Sequence, residues 1–281
     1  MITFAKQDVN LAFKILSMKN ILVPVGSSKN ALSHLQYAVD FARTFGANLY
    51  VVQVYNVYTK AGTMIKIDHI LERESKMFLD GLVSKIDTKE VNVVTRVLKG
   101  KLIDTLELAF KANEIDLLIV EPRTTSESDE VFIGKTSGRI IKQTQIPVLI
   151  VPEDYKFKSI SRILMALKSA TIRKTNALGT LKLICQKFDA VINLLLVKTP
   201  YYNEGDFEVN QDLNSIVNST TTSENATTFQ GVLEHYQSNN PDLLCVVRRK
   251  RGFFMKKWEK NAISKKDFHS SIPVLVLSGL K

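Results

Sequence analysis

The sequence predicts an α/β protein of two tandem units, each a five-stranded parallel sheet with helices on both faces. An internal repeat is the first observation behind this. Ile115-Asp116-Leu117-Leu118-Ile119-Val120 returns as Pro241-Asp242-Leu243-Leu244-Cys245-Val246, 126 positions on. Gln145-Ile146-Pro147-Val148-Leu149-Ile150 returns as Ser271-Ile272-Pro273-Val274-Leu275-Val276 at the same offset of 126. Ile21-Leu22-Val23 returns as Ile163-Leu164-Met165 at an offset of 142, so the second copy is 16 residues shorter between its first and fourth strands. Two copies of one unit explain this better than chance. The second observation is that short apolar runs alternate with segments of helical periodicity, which implies parallel strands joined by right-handed crossovers. The third is that these runs are almost unbroken Val, Ile and Leu, as a sheet covered on both faces requires.

In the first copy, residues 20–25 are an apolar run too short for a helix, ending at Gly26-Ser27-Ser28, which reads as a buried strand, a turn and a helix start. Residues 30–45 then carry Ala31, Leu35, Ala38, Val39, Ala42 and Phe45 at helical spacing, and Gly46 stops the helix as a C-terminal cap residue does. Residues 49–54 form the second strand and 68–86 a longer amphipathic helix. A strand over 91–97, a helix over 102–112, a strand over 116–120, a helix over 135–144 and a strand over 147–151 complete the unit. Pro147 and Pro273 open their strands, where proline is tolerated. The second copy repeats the plan with strands near 162–167, 190–196, 215–220, 242–247 and 273–277. The polar run 218–228 reads as a loop or a weak edge strand.

The resulting division is an N-terminal extension over 1–17, a first domain over 18–152, a linker over 153–159 (EDYKFKS) and a second domain over 160–281. The extension is either a short added helix or sequence upstream of a natural start at Met18. The chain has 281 residues, 45% apolar and 23% charged, enough to bury a core in each domain without disulfides or metals. Cys185 and Cys245 sit inside apolar runs and read as buried hydrophobes of a reducing compartment. No stretch approaches the roughly 18 consecutive apolar residues of a membrane helix. The N-terminus has no basic head followed by a long apolar core, so it is not a secretory signal. A cytoplasmic protein without a membrane partner is expected.

Lys19-Asn20-Ile21-Leu22-Val23-Pro24-Val25, the Gly46-Ala47 pair after the first helix and Val97-Leu98-Lys99-Gly100 before the third resemble the universal stress protein family. So do Asp116-Leu117-Leu118-Ile119-Val120 and Ile146-Pro147-Val148-Leu149-Ile150-Val151-Pro152. The resemblance runs through the whole first copy and through strands one, four and five of the second. It implies the tandem, two-domain form, with two flavodoxin-like or HUP-type (Rossmann-like) domains. It also implies an ATP or AMP site at the carboxyl ends of the strands, which is where open parallel sheets place ligands in any case.

ATP-binding members of that family carry an Asp after the first strand and a Gly-x2-Gly-x9-Gly-[Ser/Thr] loop after the fourth. Glycines let backbone amides approach phosphate, and the helix N-terminus that follows attracts the anion. Carried over, the contacts fall on Pro24, Val25, Gly26 and Ser27 and on Gly134, Lys135, Thr136 and Ser137. The loop keeps its length but not its chemistry: Glu121 and Thr124 stand at the first two glycines, and Lys135 replaces the hydroxyl residue. Gly26 stands at the Asp. Residues 125–130 (TSESDE) add three acids. Gly134-Lys135-Thr136 is not the end of a P-loop, because Asp129 stands where that motif needs glycine.

Net charge is +10, and much of the excess lies in one place. Between Arg248 and Lys266 nine Lys or Arg face one acid, Glu259, a local net of +8. Arg248, Arg249, Lys250, Arg251, Lys256, Lys257 and Lys260 form a candidate anion patch, interleaved with Phe253, Phe254 and Trp258 as base stacking would want. The rival reading is a solvated helix face whose aromatics pack inward.

His34, His69, His235 and His269 share no metal-ligand spacing, and no nucleophile elbow is present. The sequence therefore points to a non-catalytic stress-response protein acting through protein contacts, not an enzyme, with ATP binding weakened or lost. The alternative is an ATP or AMP sensor using the first domain, and a further one is polyanion or nucleic-acid binding through 248–266. The partner protein is not specified. The two copies are expected to pair as an intramolecular pseudo-dimer through their terminal strands, with a homodimer open.

Overall fold

Among the described residues, most apolar runs of the repeat form strands and the periodic segments form helices packed on them. The computed structural model describes residues 17–56, 64–122, 135–172, 176–248 and 271–279, with the backbone alone for 64–66 and 135–136. In the first half the order is β1 (Asn20–Pro24), α1 (Ala31–Phe45), β2 (Asn48–Tyr55), α2 (Met64–Val83), β3 (Val93–Lys99), α3 (Leu102–Ala112), β4 (Leu117–Val120), α4 (Lys135–Gln143) and β5 (Val148–Ile150). The second half follows with β6 (Arg162–Leu167), α5 (Gly179–Phe188), β7 (Val191–Lys198), α6 (Gln211–Asn214), β8 (Ser219–Glu224), α7 (Thr228–Asn239), β9 (Leu243–Arg248) and β10 (Val274–Ser278).

The strands lie in one sheet of ten, ordered β3-β2-β1-β4-β5-β10-β9-β6-β7-β8. Within each half the order is the Rossmann-like 3-2-1-4-5, and every pair is parallel. Where the halves meet, β5 pairs antiparallel with β10, Val148 opposite Val276 and Ile150 opposite Val274. The two five-strand blocks are thus continuous rather than separate.

Because successive strand residues face opposite sides, the sheet splits its apolar residues between two cores. Ile21, Val23, Leu49, Val51, Leu117 and Ile119 pack with α1, α2 and α5 on one face. Leu22, Val52, Leu118, Val120, Leu164 and Leu244 pack with α3, α4 and α7 on the other. Helices on both faces leave only the strand ends free for ligands. At the amino ends an asparagine ladder closes the edge: Asn92 Nδ2 donates to Asn48 Oδ1 and Asn48 Nδ2 to Asn20 Oδ1, each at 2.9 Å.

Gly46 ends α1 in the left-handed region at φ 65°, donating its N–H to the Ala42 and Arg43 carbonyls, as its position in the sequence predicts. The same region is used without glycine between α3 and β4, where Glu114 sits at φ 47°. Glu114→Gly removes that strain while leaving its carbonyl free to accept from Asn20. We expect it to raise the unfolding free energy by about 1 kcal/mol in chemical denaturation.

The repeat also duplicates a tertiary device. Asp116 Oδ2 accepts from the Lys19 and Asn20 amides at 2.7 and 3.0 Å, and Asp242 Oδ2 accepts from the Ser161 and Arg162 amides at 2.9 and 3.0 Å. Each aspartate ties the start of its fourth strand to the start of its first.

Two elements differ from the sequence reading. The third strand of the second half runs over Ser219–Glu224 rather than 215–220, inside the polar run 218–228 that reads as a loop or a weak edge strand, and it lies at the sheet's edge. Asn210 caps the one-turn helix α6 by accepting from the Leu213 amide, which takes up the preceding chain. Asn218 Oδ1 then accepts from the Ile192 amide at 2.8 Å and sets the later register. The stretch 153–159 is also more than a spacer. Phe157 packs edge-on against Tyr37 and Phe41 of α1, at ring distances of 5.6 and 6.1 Å, and against Phe188 of α5 at 6.2 Å. It joins helices of both halves.

Candidate functional site

In a 3-2-1-4-5 sheet the chain reverses direction between strands one and four, and the carboxyl ends there form the crevice used for ligands. In the first half this crevice lies between β1 and β4, which pair at Ile21 with Leu117 and Leu22 with Leu118. β1 ends at Pro24, and the chain turns through Val25, Gly26 and Ser27, with the Ser28 amide donating to the Gly26 carbonyl at 2.8 Å. Ser27 is exposed and Val25 buried.

Beyond β4 comes Glu121, only 7% exposed. Ser28 Oγ donates to Glu121 Oε2 at 3.0 Å and itself accepts from the Asn30 amide at 3.2 Å, just before α1 begins. Ser137 Oγ, in the first turn of α4, donates to the Glu121 carbonyl at 2.6 Å. A carboxylate of the chain itself therefore occupies the crevice, linked through Ser28 to the amino end of a helix. That end is where backbone amides and the helix dipole favour negative charge.

Of the residues predicted to contact a cofactor, the structure brings Gly26 and Ser27 to the same strand-end region as Ser137. Lys135 and Thr136 open α4 in backbone position, while Gly134 lies outside the described residues. Ser137 is buried, its hydroxyl committed to the Glu121 carbonyl. Ser28, visible in the sequence only as part of a polar turn, is the residue that engages Glu121.

A second group lies along the same edge. Lys99 Nζ, at the end of β3, reaches Asp68 Oδ2 of α2 at 2.5 Å, and Tyr55 Oη, at the end of β2, donates to Asp68 Oδ1 at 3.1 Å. The Lys99 ammonium first, and then the tyrosine hydroxyl, hold the Asp68 carboxyl below its ordinary range. No spacing motif signals this group, since its members come from three elements.

In the second half the loop after β6 is bonded to the segment that follows β7. The Ala170 amide, beyond β6, donates to the Asp206 carbonyl at 2.6 Å, and Asn210 Nδ2 donates to the Ile172 carbonyl at 3.1 Å. Phe207 and Val209 of the same segment pack against the core.

Of the candidate anion patch, Arg248 is described, whereas Arg249, Lys250, Arg251, Lys256, Lys257 and Lys260 lie outside the described residues. Arg248 is half-buried, and its guanidinium is committed to backbone carbonyls. Its Nη1 donates to the Lys142 carbonyl at 2.7 Å and its Nη2 to the Thr144 carbonyl at 2.5 Å, so its guanidinium is held at the end of a first-half helix. Partial burial lowers its pKa.

Among the described residues no group of three or more His, Cys, Asp or Glu is arranged to hold a metal ion. Burial pushes the Cys185 thiol up to about 11 and raises Cys245 further, which favours the protonated thiol at both. No described helix is long and apolar enough to cross a membrane.

These features define a Rossmann-like α/β protein of two similar halves joined in one sheet. Residues 18–152 match the family model of the universal stress protein family, so the first half is a domain of that family. A universal stress protein of Methanocaldococcus jannaschii is 22% identical over 143 residues, 49% of this chain and 84% of that protein. The crystal structure of a universal stress protein from Archaeoglobus fulgidus DSM 4304 covers 94% of this chain and 97% of its own at a TM-score of 0.67 and 16% identity. A putative universal stress protein from Pseudomonas aeruginosa UCBPP-PA14 covers 94% of each chain at a TM-score of 0.53 and 13% identity. Both likenesses span the two halves, and at these identities they speak for the fold alone.

Proposed function

We propose that this protein is a non-catalytic member of the universal stress protein family that acts through protein contacts in the cytoplasm, with nucleotide binding weakened or lost. The observation that carries this reading is the buried Glu121 carboxylate held by Ser28 Oγ at 3.0 Å in the first-half crevice. A carboxylate about 5 Å from a phosphate, at an effective dielectric near 20, costs about 3 kcal/mol per unit charge. That is roughly a hundredfold in affinity. Backbone approach suffers as well, because a side chain stands where the family's loop has its first glycine.

The second half is consistent with the same reading, since the loop after its first strand is bonded to residues 206 and 210 of its own chain. The antiparallel β5–β10 pairing gives the chain a dimer-like arrangement within itself.

Equilibrium binding of labelled ATP at moderate salt tests the proposal. The native chain is expected to show no saturable binding in the micromolar range, while Glu121→Gln, which removes the charge, tightens binding by about tenfold or more. Saturable micromolar binding by the native chain would instead establish the alternative, an ATP or AMP sensor. The polyanion alternative now rests on residues 249–266, whose charge is read from the sequence. A binding isotherm that falls steeply with salt and weakens in Arg249→Ala/Lys250→Ala would favour it.

A further inference from the structure

We infer that helix α4 couples the ligand crevice of the first half to the end of β9 in the second. Arg248 holds the last turn of this helix, while Ser137 in its first turn holds Glu121, and through it Ser28. The inference needs only these contacts and stands whether or not a nucleotide binds.

Helix α4 has nine residues, too few to be stable in water by itself. At about 1.5 Å per residue it spans about 13 Å, and its order depends on what grips its two ends and its buried face. Ile140 and Ile141 anchor the face in the core. At the carboxyl end the last carbonyls need donors from outside the helix. Thr144 supplies two for Ile140, its amide at 2.9 Å and its Oγ1 at 2.8 Å. Arg248, from the other half of the chain, supplies those for Lys142 and Thr144. A planar guanidinium reaches two carbonyls at once in a way an ammonium does not.

At the amino end the link is equally direct. Ser137 Oγ grips the Glu121 carbonyl, and the Glu121 carboxylate grips Ser28, whose hydroxyl takes the Asn30 amide. Releasing Arg248 leaves the last-turn carbonyls without these donors, frays a helix with no turns to spare, and loosens the hold of Ser137 on Glu121. Arg248 is thus a positioning residue. The state of the second half's strand end sets the state of the first half's crevice, and linkage requires the reverse as well.

Hydrogen–deuterium exchange on the full chain tests this. In Arg248→Met, exchange is expected to rise by about tenfold both over 135–144 and over 26–31, with β2 and β7 unchanged. Arg248→Lys keeps the charge without the fork, and its effect at the same sites should be intermediate. By reciprocity, Ser137→Ala should quicken exchange at 243–248, and should do so even if the methionine variant fails to fold. Acceleration confined to 142–144 and 243–248, with 26–31 unchanged, would show a clamp without coupling and overturn the inference. A uniform rise across all strands would also overturn it, as simple global destabilisation.

Discussion

Phe41→Ala is expected to lower the unfolding free energy by about 3–5 kcal/mol, the loss typical of a large aromatic removed from a tight core. Phe41 is fully buried, and its ring lies 5.0 Å from Phe45, 6.1 Å from Phe157 and 6.4 Å from Phe188. The cluster joins α1 of the first half, the 153–159 stretch and α5 of the second half, so the cavity opens where the halves meet. Phe188→Ala removes the opposite wall of the same cluster. Chemical denaturation of both single variants and the double variant should show that their losses do not add, with an interaction of about 0.5–3 kcal/mol. Additive losses would mean that the two rings stabilise their own halves independently.

Asp242→Ala is expected to cost about 3 kcal/mol, because it leaves the Ser161 and Arg162 amides without their carboxylate and removes the partner of Lys158. Most of this comes from the two amides. The Lys158 side chain is 54% exposed, and a solvated ion pair adds little. The same residue makes stability depend on pH. Burial pushes the Asp242 carboxyl up, but the Lys158 hydrogen bond and the two backbone amides outweigh it and hold the pKa below the ordinary value. The folded state therefore binds this proton less readily than the unfolded chain. Its contribution is fully present above the unfolded pKa of about 3.9 and is lost as pH falls through the lowered folded value. Thermal melts from neutral to acid pH should show the native chain losing more stability below about pH 4 than Asp242→Ala loses. Parallel losses would assign the acid sensitivity to other carboxylates.

Much of the architecture was legible because it is written locally. Periodicity separated strands from helices, the 126-residue offset exposed the duplication, and Gly46 marked the end of α1. The misplaced strand at 219–224 shows where local signals fail. Ser-Thr-Thr-Thr-Ser-Glu has no apolar face to fix its register, and Asn218 fixes it by bonding to Ile192, 26 positions away. At the site, counting back from Gly134 placed Glu121 at the first lost glycine. The count could not show that the carboxylate is buried, or that Ser28 reaches it from 93 positions away. Arg248 illustrates the same gap. In the sequence it is the first of a row of cations, and in the fold its guanidinium is held by carbonyls 106 and 104 positions earlier.

Residue type and spacing along the chain carry the α/β class, the duplication and the charge at Glu121, while the resemblance to the family implies which loop positions lack its glycines. Only the tertiary structure decided that β5 and β10 join the halves into one sheet, that an aromatic stretch rather than a spacer connects them, and that Arg248 serves a helix end. Each of these is a contact between residues far apart in sequence, and such contacts follow from how buried surfaces and backbone donors find partners after the chain has packed.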